Sequence, residues 1–171
     1  MMEALPESRM IFLIRDPRDV AASYVDAAKK GSYMYERRKG GKSAAMFEMS
    51  ADDLVESMAT SYLQNVGNAR EAYEAHKGSK VLVRYEELRS NTLQTMKRIC
   101  SALEIPVEEK ELARAVGKHS WENIPTEEKG EGKFYRKAVP GGWREDLTPQ
   151  QVETVERITA PLLKEFYEGQ A

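Results

Sequence analysis

The sequence predicts an α/β fold with a short parallel sheet flanked by helices. Three observations carry that expectation. Met10-Ile11-Phe12-Leu13-Ile14 is an unbroken apolar run, Lys80-Val81-Leu82-Val83-Arg84-Tyr85 is a second, β-branched one, and helical periodicities lie between and after them. Continuous rather than alternating hydrophobicity is expected of strands buried on both faces, as in parallel sheets. The order strand, helix, long helix, strand, helices is an α/β pattern. Two strands are too few for a doubly wound sheet, so further polypeptide is expected to complete it.

The first run ends at Arg15, and Asp16-Pro17 follows as an N-cap and first-turn pair. Val20, Ala21, Tyr24, Val25 and Ala28 then form a helical stripe that stops at Gly31. Ser32 to Met49 is polar, with Arg37-Arg38-Lys39-Gly40-Gly41-Lys42 at its centre, and reads either as a solvated loop or as a mobile segment over a substrate pocket. Ser50 opens the longest helix, with Asp53 at the capping-box position. Leu54, Met58, Tyr62, Val66, Ala69 and Tyr73 recur along it before Gly78 ends it. After the second run, helices are predicted over Thr92 to Leu103 and Val107 to Val116, separated by Pro106. Residues 117–147 lack periodicity and read as a long ordered loop, a length that in compact domains is usually functional or disordered. The last helix starts at a capping box, Thr148 with Gln151, and Pro149 takes its first position. Its inward stripe is Val152, Val155, Thr159, Leu162 and Phe166, with a kink expected at Pro161.

Composition narrows the function classes. The 171 residues suit one domain, and a formal net charge of −2 argues against a general nucleic-acid binder. Any anion site must therefore be a local cluster of cations. The single cysteine, Cys100, excludes an intrachain disulfide and reads as a core thiol. No apolar run approaches the ~18 residues of a membrane span, and Met1 to Glu7 has no signal-peptide pattern, so a cytoplasmic address is expected.

Ligands of open α/β sheets bind outside the carboxyl ends of the strands. Arg15 lies at such an end, and the helix after it aims free N–H groups at the same region. Ser23 on that helix offers a hydroxyl without adding charge. The competing reading makes Arg15 a plain helix-start ion pair with Asp16 or Asp19. A second cationic cluster lies in Phe134-Tyr135-Arg136-Lys137-Ala138-Val139-Pro140-Gly141-Gly142-Trp143-Arg144. Its glycines allow the backbone to bend closely round an anion, and Trp143 is placed to anchor it to the core.

These residues resemble the sulfotransferases that use 3'-phosphoadenosine 5'-phosphosulfate (PAPS). Arg15-Asp16-Pro17-Arg18-Asp19 with Ser23 resembles that family's 3'-phosphate-binding strand and helix, with the same eight-residue spacing. Arg136 to Arg144 is similar to its second signature, Arg-Lys-Gly-x-x-Gly-Asp-Trp-Lys, with Ala138, Gly142 and Arg144 as departures. Val81 to Glu87 resembles the strand whose Tyr reaches adenine, and His119-Ser120-Trp121-Glu122-Asn123 the segment that stacks on it. The resemblance spans residues 9–168. It implies a partial P-loop-like three-layer fold, one domain over residues 1–171, shortened at its N-terminus. It further implies that Arg15, Ser23, Arg136, Lys137 and Ala138 hold the 3'-phosphate, and that Tyr85, Ser120 and Trp121 hold the adenine.

PAPS is then the co-substrate and 3'-phosphoadenosine 5'-phosphate (PAP) the product, with no metal. In the family an acceptor hydroxyl or amine attacks sulfur in line, assisted by a general base and a phosphate-loop Lys. Both lie upstream of the Arg-Asp-Pro motif, and nothing between Met1 and Arg9 resembles that loop. Neither His76 nor His119 stands where the base does, and both read as structural or surface residues. Three expectations remain open: part of a longer enzyme, one half of a complemented hetero-oligomer, or a non-catalytic nucleotide-binding module. An exposed sheet edge favours a homo- or hetero-oligomer. The acceptor is expected to be a small molecule or glycan; the Ser32 to Met49 and 122–133 segments are polar with few aromatics, which leans away from a flat phenol or steroid and towards a polar acceptor such as a sugar. No nucleic-acid or membrane partner is expected.

Overall fold

A computed structural model describes residues 8–38 and 44–168. The Lys39-Gly40-Gly41-Lys42 part of the expected substrate-pocket segment lies outside the described residues. The chain divides into two compact units, Met1–Arg15 with Gln64–Asn123, and Asp16–Leu63 with Ile124–Ala171.

The first unit contains the sheet. Strands β1 (Met10–Ile14) and β2 (Lys80–Arg84) pair in parallel with register Met10↔Lys80 through Ile14↔Arg84. Helices α4 (Tyr85–Ser90), α5 (Thr92–Ala102) and α6 (Glu109–Lys118) follow β2. Val81, Val83, Ile99 and Leu103 form one core, with Leu88 and Met96 packed against it. The expected burial of β1 on both faces does not hold. Phe12 and Ile14 are buried, whereas Ile11 is 50% and Leu13 53% exposed. Each is the registered neighbour of a buried β2 valine, so the helical cluster seated on that face covers β2 and stops short of β1. The second strand closes at Arg84, one residue earlier than predicted, because Tyr85 already begins α4. Helix α6 starts at Glu109 and runs to Lys118, later at both ends than predicted. Cys100 is buried, as a core thiol should be.

Helix α3 (Ala51–Ala75) contributes its first half to the second unit and its second half to the first. Its start is as predicted: the Ser50 hydroxyl accepts the Asp53 N–H at 3.1 Å and donates to the Asp53 carboxylate at 2.7 Å. It ends before Gly78 because Lys80 Nζ donates to the terminal carbonyls of Tyr73, Glu74 and His76 at 2.8–3.2 Å, satisfying acceptors the helix leaves open. His76 is buried beside that cap and His119 is exposed.

The second unit is helical: α1 (Pro17–Ala28), α2 (Tyr33–Arg38), the start of α3, α7 (Trp143–Asp146) and α8 (Pro149–Phe166). Ala21, Ala22, Val55, Met58, Ala59, Leu147 and Val155 form its core. Asp16 caps α1 by accepting the Arg18 N–H at 2.8 Å, with Pro17 at the first helical position. Both halves of the Thr148–Gln151 capping box are present, and α8 runs on through Pro161. Val155, Thr159 and Leu162 are buried as the stripe requires. Tyr24, expected on the inward stripe of α1, is instead 45% exposed. The 32–49 segment is not a plain loop: it forms α2 and a 3₁₀ turn at Ala44–Phe47. Within 117–147 the chain makes 3₁₀ turns at Trp121–Asn123 and Thr126–Glu128 before α7. Among the described residues no helix is long and apolar enough to cross a membrane.

Candidate functional site

The candidate residues divide between the units. In the first, the Ile14↔Arg84 register brings the next residue of each strand side by side, so the Arg15 guanidinium carbon lies 4.5 Å from the centre of the Tyr85 ring. A parallel sheet thus presents a cation and a phenol together at its carboxyl end. Neither is fully buried. Tyr85 and Arg89 are one turn apart on α4, and such positions share a helix face. Arg89 in turn lies 5.9 Å from the Trp121 ring. Trp121 sits on a short 3₁₀ turn that Asn123 fastens by donating its side-chain amide to Gly117 O at 2.6 Å. Ser120, just ahead of it, is half-buried and donates its N–H to Gly117 O at 3.2 Å. Arg89 was not singled out in the sequence; its spacing of four from Tyr85 was the available signal.

The second unit holds Ser23, Arg136, Lys137 and Ala138. Asp19, Ser23 and Asp26 follow one face of α1 at intervals of four and three, and the 130–144 loop is laid along that face. Asp19, buried, accepts the N–H groups of Gly141 at 2.7 Å and Trp143 at 3.1 Å. Asp26, also buried, accepts Gly132 N–H at 3.4 Å, pairs with Lys29 at 3.0 Å and lies 3.9 Å from Arg136 Nε. Ser23, between the two aspartates, lines the same cleft of about 250 Å³ as Asp26 and Arg136. The loop is anchored as expected from its tryptophan. Trp143 packs on the core, with the guanidinium carbons of Arg18 and Arg144 4.3 and 4.4 Å from its ring centre.

Asp16 and Asp19 each hold a partner of their own. Asp16 binds Arg18 through both oxygens, which together with Glu156 holds the Arg18 guanidinium above its ordinary value despite partial burial. Asp19 anchors the loop. Both cations of the second cluster meet Asp146: Arg136 Nη1 at 2.5 Å and Lys137 Nζ at 2.9 Å, with Glu145 3.0 Å from Lys137. Burial pushes the Asp146 carboxyl up, but hydrogen bonds from Lys137 and Arg136 outweigh it and leave the group below the usual aspartate range. The Asp146 and Glu145 hydrogen bonds raise Lys137. The two cations are therefore gathered on one carboxylate, which an arriving phosphate would compete with. Sequence reading missed Asp26 and Asp146, because each meets the aperiodic loop through residues nine or more positions away.

Ala138 adopts φ +50°, the left-handed region that glycine enters freely. The turn is kept by alanine at a steric cost of about 1–2 kcal/mol. Ala138→Gly removes that cost but adds about 0.4–1 kcal/mol of unfolded-chain entropy. A net gain of roughly 0.5–1 kcal/mol in urea-unfolding stability is the expected result, with the loop path unchanged.

The cleft is more apolar than the composition of 32–49 suggests. Tyr24 from α1, Met34 from α2, Met46 and Phe47 from the 3₁₀ turn, and Phe134 from the loop surround its charged groups.

A family model described as "Sulfotransferase domain" matches residues 3–167. Among solved structures, the chain is similar to retinol dehydratase in complex with androsterone and inactive cofactor PAP, at 21% identity and TM-score 0.59 over 92% of this chain and 48% of that one. It is also similar to mouse sulfotransferase SULT7A1 complexed with PAP, at 15% identity and TM-score 0.65 over 99% of this chain and 61% of that one. The retinol dehydratase complex with retinol and PAP matches at 20% identity and TM-score 0.59. The chain thus spans about half to three-fifths of the length of these structures. No curated protein sequence matches it.

Proposed function

Because the chain belongs to the sulfotransferase domain family, we propose that it binds the 3'-phosphoadenosine part of PAPS, whose sulfuryl group passes to an acceptor hydroxyl or amine. The reading is carried by one observation above others. A guanidinium and a phenol stand side by side at the carboxyl ends of the two parallel strands, where open α/β sheets take their ligands.

The residues fit such a nucleotide. Arg15 offers a planar fork of donors suited to phosphate oxygens. Arg136 and Lys137 bring two positive charges, Ser23 a hydroxyl, and the Ala138 turn a backbone N–H. Tyr85 and Trp121 supply aromatic faces for adenine, and Ser120 a neighbouring polar contact. When bound, PAPS supplies the sulfuryl group; the part proposed for these residues is to hold and orient its nucleoside end. The solved structures similar to this chain are described as PAP complexes, which supports the same nucleotide here.

Calorimetric titration with PAP, set beside AMP and an Arg15→Ala variant, tests the reading. PAP is expected to bind and AMP, which lacks the 3'-phosphate, to bind far more weakly. Removing one partner of a buried charge-assisted contact costs about 2–5 kcal/mol, so Arg15→Ala should lose roughly 30-fold or more in affinity. A folded chain that ignores PAP, or takes AMP equally well, overturns the proposal.

A further inference from the structure

We propose that the aromatic cleft of Tyr33, Phe134 and Tyr135, rimmed by Glu127 and Glu128, binds an organic ammonium ion, and that this ammonium is the handle by which an acceptor molecule is held. The word acceptor rests on the function proposed above; the cation site itself does not.

Three large aromatic side chains are left open together at this cleft: Tyr33 is 42%, Phe134 66% and Tyr135 37% exposed. They meet edge to face. Tyr33 and Phe134 have ring centres 5.7 Å apart at 72°, and Phe134 and Tyr135 5.0 Å apart at 87°. In each pair the edge of one ring meets the face of its neighbour, and the ring surface left exposed is electron-rich and attracts ammonium groups. The space is an open cleft of about 410 Å³ lined by these rings, Glu127, Glu128 and Lys133.

Charge selects the occupant. A neutral apolar ligand would have to desolvate two carboxylates without compensation, whereas an ammonium is drawn to both. Among the described residues neither Glu127 nor Glu128 has an ion-pair partner, while Lys133 is the one opposing charge in the lining. One ring already holds a cation: Arg37 lies 5.9 Å from the centre of Tyr33 and donates to its hydroxyl at 2.8 Å.

The backbone fixes the rings in place. Tyr33 N–H donates to Gly132 O at 2.7 Å, Gly130 N–H to Tyr135 O at 2.9 Å, and Lys133 N–H to Gly130 O at 3.1 Å. Gly132 has φ +71°, a left-handed backbone conformation that residues with side chains rarely adopt. A site ordered before its ligand arrives loses less entropy on binding. Phe134 and Lys133 also line the cleft that contains Ser23 and Arg136, so a cation held here lies next to candidate phosphate ligands.

The test is titration calorimetry of the chain, without nucleotide, with 2-phenylethylammonium and with its neutral counterpart 2-phenylethanol. The ammonium is expected to bind about tenfold tighter than the alcohol. Phe134→Ala should weaken it about five- to tenfold, and Glu127→Gln with Glu128→Gln by a similar factor, with loss of its salt dependence. The glutamine variant alters only exposed charge and keeps the fold, so it decides the case even if Phe134→Ala does not fold. Equal binding of the alcohol, no binding of either, or an ammonium preference that survives the glutamine variant overturns the proposal. A chain that takes the ammonium and ignores PAP overturns the nucleotide reading instead and leaves this one standing.

Discussion

Asp19→Ala is expected to lower the melting temperature by roughly 6–12 °C and to release the 130–144 loop from α1. The carboxylate is 2% exposed and accepts two backbone N–H groups, from Gly141 and Trp143. Truncation leaves both donors without their acceptor, at about 1–3 kcal/mol each. A total near 3 kcal/mol corresponds to about 2–4 °C per kcal/mol for a chain of this size. Gly141 is held at φ +82° where the loop turns, and its N–H is one of the two that Asp19 accepts. Differential scanning calorimetry measures the shift, and hydrogen exchange at the Gly141 and Trp143 amides locates it. Asp19→Asn separates two roles for this residue. Asparagine keeps one acceptor oxygen, so it should restore about half the loss if Asp19 acts through those N–H groups. If Asp19 acts instead as a counter-charge for neighbouring arginines, asparagine will be as damaging as alanine.

Much of the frame was legible because its signals are local. Thr148, Pro149 and Gln151 announce the start of α8 within four residues, and Ser50 with Asp53 does the same for α3. The strand at Met10–Ile14 follows from five apolar residues in a row, yet that run says nothing about what covers each face. Ile11 and Leu13 are half exposed because burial depends on neighbours a strand cannot specify. Helices α2 and α4 escaped notice at six residues each. Segments that short are marginal alone and exist through tertiary contacts. The candidate site divides the same way. Its cations were visible from spacing and neighbouring glycines, whereas the buried aspartates on α1 that position the loop act over more than 100 residues of chain. The aromatic character of the cleft also escaped a segment-by-segment reading. Its rings come from α1, a 3₁₀ turn and the loop, each contributing one.

Arg136→Gln is expected to weaken PAP binding about a hundredfold, the largest affinity loss of any single substitution in the second unit. Arg136 is 16% exposed, lines the cleft with Ser23, and is shared between Asp146 and Asp26. A 3'-phosphate reaching Arg136 would meet two or more fork donors at once, in surroundings that screen charge less than water does. Loss of one partner from such a contact costs about 2–5 kcal/mol, and each 1.4 kcal/mol is tenfold. Lys137 should matter less. Its ammonium is a point charge at 38% exposure, already engaged by Glu145 and Asp146. Glutamine is preferred to alanine here because it can still donate to Asp146, which keeps the buried Asp26 and Asp146 region close to its native packing. Arg136→Lys should recover only part of the affinity, since it restores the charge without the fork. The decisive comparison is PAP affinity against melting temperature in the same variants. A large affinity loss with a small thermal shift identifies Arg136 as a phosphate ligand. A thermal loss with unchanged affinity would make it a structural tie between α1 and α7, and the 3'-phosphate would have to be sought elsewhere.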